Sequence, residues 1–326
     1  MERGRSPLVS VPPFGRFLKA LCNRLVFVCL VLVVLRSPDQ LCAQFTDPRT
    51  YGNTPVGVNQ LKLAYTYARA DASIDTSLVI AGAEFNLNQG TLEYSRYFSF
   101  FHRVAWVKAS VPPAGLNGSV TGTNIRGSTT GTGDSSYELG MLVKGGPAIS
   151  VTQFENYKPT TSVGVSLIVS PPTGQYNANK VLNLGTNRWS FKPEIGISHP
   201  FGPKQKWEFD AYANADFYTD NTSYHGVEIL RQQALPGLEG HISYSFTSSL
   251  WASLDTRYSF RGDTFVKGMN QNDAQQNFIL GSEVNVSLNP QNSLVFEFAK
   301  ALVHQNGPAY IGFAVKYTYS WGKGYR

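Results

Sequence analysis

Five histidines, His102, His199, His225, His241 and His304, are the side chains best suited to proton transfer or metal ligation near neutral pH. They are scattered, and no two stand at the HxxxH spacing of a helical metal site. The densest constellation is Glu239-Gly-His241-Ile-Ser243-Tyr-Ser245, where an acid, an imidazole and two hydroxyls alternate. On a strand these share one face, but residues two apart stand roughly 7 Å from each other, too far for a direct relay. There is no GxSxG nucleophile elbow. Gly131-Thr132-Gly133-Asp134 lacks the lysine and following helix of a phosphate loop. The expectation is therefore no catalytic, metal or cofactor site, and no enzyme.

The charged residues of the second half are more ordered than the histidines. By parity on extended segments, Lys192, Glu194, Glu208, Asp210, Asp216, Glu239, His241, Asp255, Arg257, Arg261, Glu283, Glu297 and Lys316 fall on one face. Eight are acidic, four are basic and one is histidine. Unpaired charge in a low-dielectric interior is costly, so such a set must pair across a cavity or line water. Two readings stay open: a salt-bridged network that fills and stiffens a lumen, or a weakly cation-favouring path for a solute.

The elements that position this set are strands. In 187–198, Trp189, Phe191, Pro193, Ile195 and Ile197 alternate with Ser190, Lys192, Glu194, Gly196 and Ser198, giving one apolar and one polar face. The same period recurs at 61–69 (Leu61, Leu63, Tyr65, Tyr67), 89–97, 102–110, 135–144 and 162–170. It continues in segments headed by Trp207, Leu238, Leu250, Phe278, Leu294 and Ile311. That makes twelve strands, within a range of ten to fourteen because 70–88 reads as strand, loop or short helix. Short turns such as Asn289-Pro290-Gln291-Asn292 alternate with long polar loops. Even strand number, strands of about ten residues and alternating short and long connections mark a bacterial outer-membrane barrel. The fold class is thus all-β, a transmembrane antiparallel up-and-down β-barrel over 59–321 with a short tail at 322–326.

The aromatics at strand ends, Tyr94, Tyr97, Phe98, Phe246, Tyr258, Phe260, Tyr317, Tyr319 and Trp321, suit girdles at the lipid headgroups. Loop 112–134, rich in Gly, Thr and Ser, reads as too polar to pack: an inward constriction or a mobile external tip. Residues 44–58 form a leader or a lumenal plug, a flexible leader being the simpler reading.

The run Pro172-Thr173-Gly174, Tyr176, then Asn183-Leu184-Gly185-Thr186-Asn187-Arg188-Trp189 and Pro193 resembles the outer-membrane family named after the meta-pathway of phenol degradation. The resemblance implies a barrel, a transport role and a small aromatic or hydrophobic cargo. In it Tyr176, Arg188 and Trp189 would fix a loop at the rim rather than touch a solute.

The first 43 residues read as a secretory signal: Arg3, Arg5, Arg16, Lys19 and Arg24, an apolar run from Leu25 to Leu35, and Ala43 before the cut. The run is too short to span a bilayer as a helix. Without these residues the net charge falls from +6 to +2, which removes the argument for nucleic-acid binding. Cys22, Cys29 and Cys42 all precede the cut, so disulfides and thiolate metal sites are not expected. After residue 43 no stretch is apolar for about 18 residues, so a membrane span must be made of strands. The reading is an outer-membrane channel for passive passage of a small solute, with lipid and that solute as partners. The alternative is a filled, non-conducting structural or adhesive barrel.

Overall fold

A computed structural model describes residues 46–70, 83–120, 123–124, 126–180, 182–306 and 309–324. The signal peptide expected at 1–43 lies outside the described residues, as does 71–82 of the ambiguous stretch.

Twelve antiparallel strands close into a barrel. They are β1 (Val58–Ala70), β2 (Ala83–Phe100), β3 (Arg103–Val111), β4 (Ser136–Lys144), β5 (Ser162–Ser170) and β6 (Ser190–Phe201). There follow β7 (Trp207–Tyr218), β8 (Leu235–Ser245), β9 (Leu250–Arg261), β10 (Gln275–Asn289), β11 (Asn292–Gln305) and β12 (Tyr310–Gly322). Each pairs with its neighbours in sequence, and β1 pairs with β12 from Val58↔Gly322 to Ala70↔Tyr310. Closure leaves no ladder edge in the wall, which a bilayer core demands because no water is there to satisfy backbone groups.

The two faces of the wall are inverted relative to a water-soluble protein. Leu238 is 54% exposed, whereas the adjacent Glu239 is 4% exposed. Likewise Leu63, Leu139, Ile195, Leu254 and Phe313 point out while Ser166, Asp210, His241, Asp255 and Lys316 are buried. An apolar exterior around a polar interior is stable only with lipid outside, so this is an outer-membrane β-barrel. Tyr97 departs from the expected girdle. It falls on the inward parity of β2 and packs against a cluster inside the lumen.

Short connections lie at the end where β1 starts and β12 finishes. Phe101 and His102, with φ of 46° and 61°, make the two-residue turn from β2 to β3. Asn289 Oδ1 accepts from the backbone N–H groups of Gln291 and Asn292 in the β10–β11 turn. One turn of helix, Val151–Phe154, capped by Ser150, lies between β4 and β5.

Among the described residues, the long connections at the other end are structured. Most of 112–134 is a hairpin, Pro113–Val120 with Arg126–Thr132, whose first strand pairs with the upper half of β2. The expectation that it is too polar to pack fails on one residue. Leu116 joins Phe85, Leu182 and Leu184 in a buried cluster. The β7–β8 and β9–β10 loops together build a four-stranded sheet from Asn221–Tyr224, Glu228–Gln232, Thr264–Val266 and Met269–Asn270.

Candidate functional site

The site is the lumen, and the segment ahead of β1 occupies it. A flexible leader was the simpler expectation; the structure instead runs residues 46–57 inside the wall. Val56 N–H donates to Ile149 O and Gly57 N–H to Tyr97 O, so the segment passes in at the short-turn end. Thr46 then reaches Glu239 through its N–H (2.7 Å) and Glu194 through its hydroxyl (2.8 Å). Arg49 donates to Ser243 (2.8 Å) and Ser245 (3.1 Å) and lies over the Trp251 ring at 4.5 Å. These partners come from the inward faces of β6, β8 and β9, which only a segment within the barrel can meet together.

Sequence explains why this segment is compact. Pro48 fixes one torsion after Asp47, Arg49 adopts φ 63°, and Thr50 returns its hydroxyl to Asp47 O at 2.6 Å. The turn sends Asp47 to one wall and Tyr51 to the other. Asp47 lies 2.6 Å from Lys316 Nζ and 2.9 Å from Lys62 Nζ. Burial pushes its carboxyl up, but the two ammonium groups outweigh that and hold it well below its ordinary value.

Tyr51 is fully buried in an aromatic slot. Its ring stands edge-on to Trp106 (centroids 5.8 Å apart) and Tyr212 (5.1 Å), with Leu142 and Val104 completing the cluster. Its hydroxyl donates to Glu194 Oε1 (3.0 Å) and meets Ser166 Oγ at 3.0 Å. Two glycines make the room: a Cβ on Gly196 would lie 2.0 Å from the Tyr51 ring, and one on Gly164 2.3 Å. Burial first, and then the Glu194 charge, raise the phenol above its ordinary value, so it stays protonated and donates.

Around the plug, the inward charges pair. Arg257 bonds to Glu239 and lies 3.8 Å from Asp216. His241 Nδ1 is 2.8 Å from Asp255 and its Nε2 3.7 Å from Glu239. Lys192 is 3.7 Å from Glu194, and Glu208 is 3.5 Å from Arg49. Asp210 accepts from Ser198 and from the Arg49 N–H. Lys316 stands between Glu297 (2.6 Å), Glu283 (3.4 Å) and Asp47. Those three carboxylates are close enough to share a metal ion, but the Lys316 ammonium already sits among them as their cation. Lys62–Glu93 and Lys108–Glu138 continue the pairing around the wall from β1 to β4. Arg261 does not join the set, since it ends β9 exposed, with φ 68°. The Glu239–His241–Ser243–Ser245 row is thereby divided, its acid and imidazole in the ion-pair network and its hydroxyls on Arg49.

Above this layer the loop 171–189 is tied down by Asp134, the last residue of the Gly131-Thr132-Gly133-Asp134 run that lacks a phosphate loop's lysine. Its carboxylate accepts from Gly174 N–H (2.7 Å), Thr186 N–H and the Thr186 hydroxyl (both 2.8 Å). Thr173 bonds to Ser135, and Pro172 precedes it at the bend. Gly174 and Gly185 meet so closely that a Cβ on Gly185 would lie 2.6 Å from the Gly174 backbone. Asn183 bridges Asn177 and Lys180 within the loop. Asn187 and Tyr176 converge on Asn221, the Arg188 guanidinium lies over Tyr218 at 4.4 Å and donates to Gln232, and Trp189 stacks on Phe191 outside. The motif residues are thus brought together at the rim. The plug residues Asp47, Arg49 and Tyr51 were missed. Two opposite charges and an aromatic packed into one turn just before the first strand were the available signal.

Residues 64–317 match the family described as "Putative MetA-pathway of phenol degradation". The chain belongs to this family. In fold this member resembles an outer membrane channel from Pseudomonas putida F1, with 20% identity, a TM-score of 0.73, and coverage of 85% of this chain and 100% of that one. Weaker likenesses include the β domain of the Bordetella autotransporter BrkA (10% identity, TM-score 0.47, 82% and 100% covered). Another is the transport unit of the Escherichia coli autotransporter AIDA-I (11%, 0.47, 85% and 94%). No curated protein matches the chain in sequence.

Proposed function

We propose that this family member is a passive channel for a small aromatic solute bearing a hydroxyl, closed at rest by its own residues 46–57. The observation that carries the reading is the Tyr51 slot. A phenol ring is already held there edge-on by Trp106 and Tyr212, with its hydroxyl between Ser166 and Glu194. A free phenol presents the same ring and the same donor, so it competes for the slot once the plug lifts. The family's phenol-pathway description supports the same cargo class, and the fold likeness to a channel supports passage through the barrel. Twelve strands also lie between barrels filled by side chains and porins with open water, which suits a gated path.

The test is planar-bilayer conductance of the mature chain beside Tyr51→Ala, with phenol and cyclohexanol added in turn. The expected result is a rarely open wild type, a frequently open variant, and current block by phenol at lower concentration than by cyclohexanol. Equal block by the two alcohols removes the aromatic assignment.

The dense pairing of the inward charges favours a second reading, a filled barrel that never conducts. Silence of both Tyr51→Ala and a chain lacking residues 44–57, each folded, would establish it.

A further inference from the structure

One stretch of wall rises past the lipid belt. Tyr65 and Tyr67 mark the belt's upper edge on β1, where their hydroxyls donate to Asn88 and Asn86 of β2. Above them β2 continues beside the hairpin Pro113–Val120/Arg126–Thr132, and the register sets the outward rows. Asn86 faces Asn117, which faces Ser128; one row higher, Glu84 faces Ser119, which faces Arg126. The other side of the same sheet carries Phe85 and Leu116 and is buried against Leu182 and Leu184. The outward side is polar, and it holds a groove of about 470 Å³ lined by Asn86, Asn117, Ser119, Arg126 and Ser128 around Gly118 and Gly127.

We infer that this groove docks the phosphorylated sugar headgroup of an outer-leaflet glycolipid. Three observations converge on that occupant. The groove lies on the same outward face as Leu92 and Leu63, so it continues a surface that already touches lipid, at the height where headgroups begin. Its two carboxamides and two hydroxyls offer the mixed donors and acceptors that sugar hydroxyls require. Arg126 has no carboxylate partner among the described residues, while nearby Glu84 is held by Arg69 at 2.6 Å, so the free fork of donors is left for a phosphate. Acyl chains below would meet Leu92 and Leu63, and the groove's volume falls in the range of small-molecule sites. This inference is independent of conduction.

The test uses the purified full barrel in phospholipid nanodiscs, titrated with a diphosphorylated glucosamine-disaccharide lipid and read by native mass spectrometry. The variants are Arg126→Ala, Asn117→Ala and the pair, with Arg231→Ala as control because Arg231 is a surface arginine already paired with Asp220. Heat-modifiable migration checks that each is folded. The expected result is binding at least about tenfold weaker in the pair and unchanged in the control. The dephosphorylated lipid should bind wild type as weakly as the phosphorylated lipid binds Arg126→Ala. Binding by the folded pair within about twofold of wild type overturns the inference. So does competition by water-soluble glucosamine phosphate as strong as by the lipid, which would make the groove a site for a free solute.

Discussion

At the scale of single residues, the Tyr51 phenol and the Asp47 carboxylate anchor the plug to two parts of the wall, with Thr46 and Arg49 bonded between them. Tyr51→Phe keeps the ring but removes the donor to Glu194 and Ser166, weakening docking by roughly 1–3 kcal/mol; the measurement is a raised open probability in single-channel records. Gly196→Ala acts from the wall: its methyl would stand 2.0 Å from the Tyr51 ring, so the ring must leave, and the variant should conduct without further mutation. Asp47 sets the pH response. Because its docked pKa lies below its free value, docking is at full strength above about pH 4 and is lost as pH falls through the depressed value. Conductance should therefore rise only in acid, and Asp47→Asn should abolish that rise. A plug at 44–58 is one of the two readings the sequence allows, but the grip of Asp47 and Tyr51 is not legible there, since Lys316 and Glu194 lie 269 and 143 residues further along the chain.

At the scale of elements, the strands were readable and the loops were not. All twelve strands follow from a period-two pattern whose cause is local: lipid on one side, a polar interior on the other. Tyr97 was misplaced because its position near the strand end suggested a girdle, whereas its parity with Glu93 and Ser95 turns it inward. The hairpin at 113–132 is not legible because Leu116 is buried by Leu182 and Leu184 of another loop and by Phe85 of the β2 extension. That other loop depends on Asp134. Asp134→Ala removes three accepted hydrogen bonds and should open 171–188 to protease while leaving heat-modifiable migration of the barrel unchanged.

At the scale of the whole molecule, parity gave the set of inward charges, but their pairing could only come from the closed ring. Lys316 shows the consequence. Three carboxylates converge on it, so Lys316→Met leaves buried like charges together and should lower stability by roughly 3–5 kcal/mol in urea unfolding. Glu283→Gln is milder, since Lys316 keeps Glu297 and Asp47. In a chain opened by Tyr51→Ala, Glu283→Gln and Asp255→Asn should each reduce cation preference in reversal-potential measurements.

The pairing of β1 with β12 also joins the two ends of the chain. The first strand cannot complete its ladder until the last strand has arrived, and the plug is tethered directly to that first strand at Gly57. Residues 46–57 therefore start beside the seam. Lys62 and Lys316, one from each side of that seam, are the two cations that grip Asp47. The same carboxylate that closes the lumen therefore bridges the join between the two ends of the chain, so sealing the wall and seating the plug become one cooperative event.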